Sequence, residues 1–251
     1  MNKTKHTTKN VIFALKVVIT CLMLSLILMS NMINIAFAVP EGPRVTYNQT
    51  YTATPRPGTF INTSGGTFTT LNLNVTQQDP RWKAYAGNIT GKLLLSDAQN
   101  LSIYDWTWSE TSGEVYATRA NSINWPAIIC ANAAKITAEE VAMNHTATNA
   151  DSISLTFNRK VHKKFYVGTK YIANSTCFSI ATYINGKNQT VSENAKFQEV
   201  LLTDTTNLLY VTLLENAQSG FNNKKYDFQL LVAESDKRVN PTPYYFYVEL
   251  V

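Results

Sequence analysis

Tyr244-Tyr245-Phe246-Tyr247-Val248-Glu249-Leu250 is the stretch that decides the fold class. Phe246, Val248 and Leu250 alternate with Tyr245, Tyr247 and Glu249, the two-residue period of a strand whose side chains point to opposite faces of a sheet. Strands are also expected at about 197–203, 208–214 and 226–233. Earlier in the chain, Leu71, Leu73 and Val75 share one face against Asn72, Asn74 and Thr76. Ile89, Leu93 and Leu95 make a second face, and Tyr104, Trp106 and Trp108 a third that turns at 110–113 into Val115 and Ala117. Ile153, Leu155 and Phe157 alternate with Ser152, Ser154 and Thr156, apolar runs follow at 165–172 and 178–184, and Asn185-Gly186 is a hairpin turn signal. One helix interrupts the strands. Thr137-Ala138-Glu139-Glu140 has the form of a capping box and predicts a helix from about 137 to 147, with Glu139 and Glu140 as helix-start residues rather than a catalytic pair. The expected fold is mainly β: an antiparallel two-sheet sandwich, immunoglobulin-like or jelly-roll-like, with one short helix, and a closed barrel as the runner-up.

Ahead of the strands lie two segments of different character. Lys3, Lys5 and Lys9 precede a largely apolar run from Val11 to Met29, interrupted by Lys16, and then Ala36-Phe37-Ala38. This is the pattern of a signal peptide, residues 1–38, cleaved after Ala38. The alternative is an uncleaved anchor spanning Val17 to Ala38, and membrane contact is expected only in that case. Cys21 lies inside the apolar run and is not read as a lipid attachment site. Residues 39–66, with Pro40, Pro43, Pro55 and Pro57, read as an extended lead-in. Within it Val45, Tyr47, Tyr51 and Ala53 alternate with Thr46, Asn48, Thr50 and Thr52, a strand able to lie on an edge or to be donated to a neighbour. Residues 67–251 form the sandwich domain. The chain ends inside an apparent strand, so no C-terminal membrane tail is expected.

Charge gives no hint of an acidic partner. The whole chain carries 22 basic and 17 acidic residues, but four lysines leave with the signal and no acid does, so the mature net charge falls from +5 to near +1. The run Arg159 to Lys164 is read as a solvated turn rather than a patch for acidic polymers, and no nucleic-acid partner is expected.

Cys130 and Cys177 are the two mature cysteines, and in an exported chain they are expected to form a disulfide. The mature histidines, His145 and His162, are read as solvated, and neither is near a cysteine in sequence; no metal site and no cofactor is expected. No Gly-rich phosphate loop, dinucleotide fingerprint or calcium-loop spacing is present, and no catalytic residues are assigned. Trp82, Tyr85, Trp106, Trp108 and Trp125 are read as core packing rather than a sugar-stacking platform. Eight Asn-x-Ser/Thr sequons, at Asn48, Asn62, Asn74, Asn88, Asn100, Asn144, Asn174 and Asn188, exceed random placement and are glycosylation candidates.

Arg81-Trp82-Lys83-Ala84-Tyr85-Ala86-Gly87-Asn88-Ile89-Thr90-Gly91-Lys92-Leu93 carries an aromatic pair followed by Gly-Asn-x-Thr-Gly and then a strand. Together with Ile103-Tyr104-Asp105-Trp106, Ile128-Ile129-Cys130-Ala131-Asn132, Tyr226 to Val232 and the closing strand, this resembles a recurring β-sandwich module of secreted archaeal cell-surface proteins, over residues 67 to the end. The resemblance implies a surface location and brings no catalytic residues. The chain is therefore expected to be an extracellular or cell-surface structural and interaction protein, surface-layer-associated or a filament subunit, and not an enzyme. Its expected partners are further copies joined by strand addition, other envelope proteins, or glycans. A glycan- or cell-surface-binding adhesin module is the alternative.

Overall fold

The computed structural model describes residues 39–107, 111–235 and 240–250. The expected signal segment, Trp108 and Glu110 lie outside the described residues. The chain is mainly β, with every strand pair antiparallel. In order along the chain come β1 Trp82–Gly87, β2 Lys92–Ser96, β3 Ser102–Thr107, β4 Gly113–Thr118, a 3-10 turn Trp125–Ala127, β5 Ile129–Cys130, α1 Ala133–Met143 and α2 Ile153–Thr156. Then follow β6 Phe165–Val167, β7 Lys170–Ile172, β8 Ser179–Ala181, β9 Gln198–Thr203, β10 Leu208–Leu213, β11 Gln218–Ser219, β12 Lys225–Tyr226, β13 Phe228–Ala233 and β14 Tyr245–Leu250.

Six of these strands form one sheet in the order β14-β4-β10-β9-β5, with β8 also on β9. β9 and β10 lie in its middle and are buried along their whole length, because both faces of this sheet are covered. On one face Ala117, Leu201, Leu208 and Tyr210 pack with Ile136 and Met143 of α1, Ile153 of α2, Phe157, and Leu230 and Val232 of the two-stranded β1–β13 sheet. On the other, Tyr116, Val200, Leu202, Leu209 and Val211 pack with Ile128 and the β6–β7 hairpin. Adjacent residues of one strand serve opposite cores, as the two-residue period requires.

Several expectations are met in detail. The Asn185-Gly186 turn has φ of +51° and +67°, closing the Ile184–Lys187 pair, the backbone that favours Asn-Gly. Others need correction. The helix begins four residues earlier than expected: Asn132 is its cap, accepting from the Lys135 N–H at 3.0 Å, and Asn144 ends it at φ +59°. Ala133 and Ala134, strong helix formers, extend it backwards, so Glu139 and Glu140 lie at the end of its second turn rather than in its first. Residues 153–157, expected as a strand, form the single turn α2. Ser152 caps it by accepting from Leu155 N–H at 3.2 Å, and Ile153 and Phe157 are buried four residues apart while Leu155 is exposed. Alternating Ser/Thr and apolar residues fit both periods, and the cap decides.

Glu140 supports this turn from the neighbouring helix, its Oε1 accepting from Ser154 N–H at 2.7 Å. Glu140→Ala is expected to lower the unfolding free energy by about 1–2 kcal/mol, the cost of a lost charge-assisted bond. Urea unfolding of the variant against wild type measures it, and an unchanged midpoint contradicts it.

Candidate functional site

Among the described residues the strand expected at 71–75 has no pairing partner: from residue 42 to 80 the chain forms no helix or strand, is exposed throughout and has turns at 65–66 and at 80. Apolar side chains stand in water along it, with Val45 73% exposed, Tyr47 75%, Tyr51 76%, Phe60 87%, Phe68 93%, Leu73 82% and Val75 82%. Isolated exposed apolar residues need no explanation; here they recur along the whole segment. The far end of this segment is held firmly, since Trp82 Nε1 donates to the Asp151 carbonyl at 2.8 Å and Arg81 pairs with the Asp151 carboxylate at 2.9 Å.

Its near end touches the central sheet once. Glu41 N–H donates to the Val248 carbonyl at 3.0 Å and Val248 N–H donates to that of Glu41 at 2.8 Å. This pair lies on the outer edge of β14, the far edge being taken by β4 in the register Val248 to Val115. In antiparallel pairing the next rung outward from Glu41–Val248 joins residues 43 and 246, and residue 43 is proline. Proline has no N–H to give Phe246, so pairing stops after one rung. Phe246 thus presents its N–H and C=O on an edge with no strand beside it among the described residues.

The opposite flank of the sheet is closed. β5 covers β9 at Leu202 and Thr203, and β8 covers it at Gln198, Glu199 and Val200. Cys130 at the end of β5 is bonded to Cys177 ahead of β8, so the disulfide staples the two short strands that share this edge. Beyond β8, Ser179 N–H donates to the Arg159 carbonyl at 2.7 Å.

A second unpaired element is rooted beside β14, where a Cβ on Gly91 would come 2.5 Å from Leu250 Cδ1. The hairpin of β2 and β3 is exposed at every position. Its register aligns Leu93 with Trp106 and Leu95 with Tyr104, and Leu94 with Asp105. One face is therefore apolar, with the Tyr104 and Trp106 rings 5.0 Å apart, and the other carries the Lys92–Asp105 ion pair. A two-stranded sheet gains little stability alone, and this apolar face is exposed.

Comparison with protein-family models, with curated proteins and with solved structures found no match. The site is therefore read from its geometry.

The other sequence-predicted residues are spread over the molecule. All eight sequon asparagines are exposed, and Asn174 donates from Nδ2 to Glu193 at 2.7 Å. The aromatic set is not one platform: Trp82 and Tyr85 pack against one core, Trp125 against the other, and Trp106 stands on the hairpin. Glu139 holds Arg119 in a two-pronged ion pair beside a cleft of about 220 Å³ lined by Thr118, Lys135 and Asn207.

Both histidines, expected in solvent, are buried. His145 Nε2–H donates to the Glu234 carbonyl at 3.0 Å. His162 Nδ1–H donates to the Lys163 carbonyl at 2.8 Å, leaving Nε2 to accept from the N–H groups of Thr176 and Cys177 at 3.1 and 3.0 Å. Burial lowers its pKa, and the neutral ring fixes the chain entering the disulfide. The basic neighbours of His162 gave no sign of this. In the same run Lys163 pairs with Glu215 at 3.4 Å, while Arg159, Lys160 and Lys164 are exposed.

Three acids are buried in the central sheet and were missed as a group. Glu199 accepts from Leu231 N–H at 2.8 Å through Oε2, while its Oε1 and the facing Thr212 Oγ1 have no partner among the described residues. Burial raises its pKa well above the ordinary value. Glu114 and Glu249 lie opposite each other in β4 and β14. Burial and then the charge of Glu249 raise Glu114 well above its ordinary range, partly offset by Lys163. Burial also raises Glu249, against bonds from Tyr116 O–H at 2.9 Å and Gly168 N–H at 2.8 Å. An acid inside an apolar strand run, as in Glu199-Val200-Leu201-Leu202, is the signal that could have found the first of them.

Proposed function

We propose that this chain is an exported, non-catalytic structural and interaction protein of the cell envelope, a surface-layer-associated module or extracellular filament subunit that joins its neighbours through the extended segment 42–80. The observation that carries this is the series of exposed apolar side chains along a segment that nothing in its own domain covers. The apolar face of the β2–β3 hairpin adds further surface of the same kind. Export is supported by the basic, apolar and small-residue order of residues 1–38, and glycosylation by eight sequons that are all exposed. The likeness to secreted archaeal surface modules agrees with this reading.

The test is size-exclusion chromatography with electron microscopy on natively secreted protein from residue 39 onward. Assemblies of many subunits are expected. Deleting residues 39–79 is expected to leave a monomer whose melting temperature is close to that of wild type, because among the described residues this stretch is held to the domain by little more than the buried Pro40, the Glu41 rung and the Asp79 carboxylate that accepts from Arg81 N–H. A wild-type protein that stays monomeric at high concentration overturns the proposal.

A further inference from the structure

Resting on that reading, we infer that residues 69–76 of one copy add as a strand to the open β14 edge of a second copy of this chain. Two features of one molecule are complementary. Among the described residues the central sheet has an open edge at Phe246, and the stretch 42–80 carries strand-competent runs left unpaired.

A strand added beside β14 needs an N–H at every other position at least, which excludes proline. The extended segment has Pro43, Pro55 and Pro57 near its start, then none until Pro80. Within that proline-free span the run Leu71-Asn72-Leu73-Asn74-Val75-Thr76 alternates strictly, whereas the alternation from Val45 to Ala53 is broken at Gln49.

The faces also match. Phe246 joins the core of helices and β1–β13, its ring 4.9 Å from that of Tyr85, while Tyr247 joins the opposite core. Phe246, Val248 and Leu250 share a face and are half-buried, the state of side chains at the rim of a core. A strand placed in register with its apolar side on this face continues the core with Leu71, Leu73 and Val75. The same placement turns Asn72, Asn74 and Thr76 to the other side, and Asn74 is a sequon.

A second copy is the occupant because, among the described residues, the segment pairs with no strand of its own domain, β14 included. Between residue 76 and the anchor at Arg81 the chain spans about 16 Å when extended, at roughly 3.3 Å per residue, and the strand 69–76 runs on from there along the neighbouring subunit. Exchange opens only the single Glu41–Val248 rung. A donor and an acceptor at different places on one chain make a head-to-tail contact, which propagates as a filament unless it closes into a ring. Main-chain bonds then supply much of the affinity, and the alternating side chains set the register.

The experiment uses the secreted chain from residue 39 with Leu73→Pro and, as a control, Leu73→Ile. Leu73→Pro changes a residue that is 82% exposed, so the monomer is expected to fold and to have lost assembly, while Leu73→Ile assembles. A peptide of residues 67–77 added to the Leu73→Pro monomer is expected to slow hydrogen exchange at the Phe246 amide by at least about tenfold, and the same peptide with proline at 73 is not. Assembly of Leu73→Pro at the wild-type level overturns the inference. So does wild-type assembly in which the Phe246 amide exchanges as fast as in the monomer, and both outcomes leave the proposed function standing. A wild type that never assembles removes that function and this inference together.

Discussion

Replacing Cys130 by serine and Cys177 by alanine is expected to lower the unfolding free energy by about 4 kcal/mol, the chain-entropy value for a loop of this length. The bond joins residues 47 apart, and the loop it closes contains α1, α2 and the β6–β7 hairpin. Cross-linking shrinks the unfolded ensemble of that whole segment. It acts on the native edge too. β5 has two residues and β8 three, and beyond their pairing with β9 only the Arg159–Ser179 bridge holds β8 on its other side among the described residues, so neither has much pairing of its own to resist fraying. Cys177 is fully buried, which is why alanine, with no hydroxyl to desolvate, is the cleaner replacement there. The check is urea unfolding of the oxidised wild type, the reduced wild type and the double variant. The last two should share one midpoint well below the first, and a loss under about 1 kcal/mol would mean that the loop is already ordered in the unfolded chain.

The sequence showed which segments are strands far better than it showed what they pair with. β9, β10, β13 and β14 were legible because apolar residues dominate both of their faces or alternate cleanly. Residues 153–157 were not, because Ser152 offers the backbone a cap that alternation does not register. Leu71 to Val75 has a correct strand pattern and still no partner, since period two reports a face to be buried and says nothing about whether the same chain buries it. The same limit hid the open edge. That β14 is a border strand follows from topology, and that its border is unfilled follows from one proline at position 43 meeting Phe246. His162 and Glu199 were hidden for another reason: a buried polar group is tolerated when its partners are main-chain groups, and those partners come from distant segments.

Stability is expected to fall as pH rises above the ordinary carboxyl range, and the buried carboxyls give the sign. Glu114, Glu199 and Glu249 all have folded-state pKa values raised above the ordinary 4.5, with burial the first cause in each. A raised carboxyl keeps its proton in the folded chain while the unfolded chain releases it above pH 4.5. Its contribution is therefore fully present below that pH and is lost as pH climbs toward the folded value, at about 1.4 kcal/mol per pH unit for each group. Opposing groups act lower on the scale. Asp204, held down by Asn207, Thr206 and Asn124, and Glu234, held down by Lys83 and Thr242, withdraw stability as pH falls through their own lowered values. His162, lowered by burial, withdraws it as pH drops below 6.5. Above that point the histidine no longer contributes a slope, and only the raised carboxyls remain. Glu199→Gln isolates one of them, since the amide oxygen still accepts from Leu231 N–H and cannot ionise. The variant is expected to match wild type near pH 5 and to become more stable than it by about 1.4 kcal/mol for each pH unit above, until the folded-state pKa of Glu199 is passed. Unfolding midpoints from pH 5 to 9 measure this, and a constant difference across that range would mean that Glu199 is ionised in the core, with an undetected donor at Oε1.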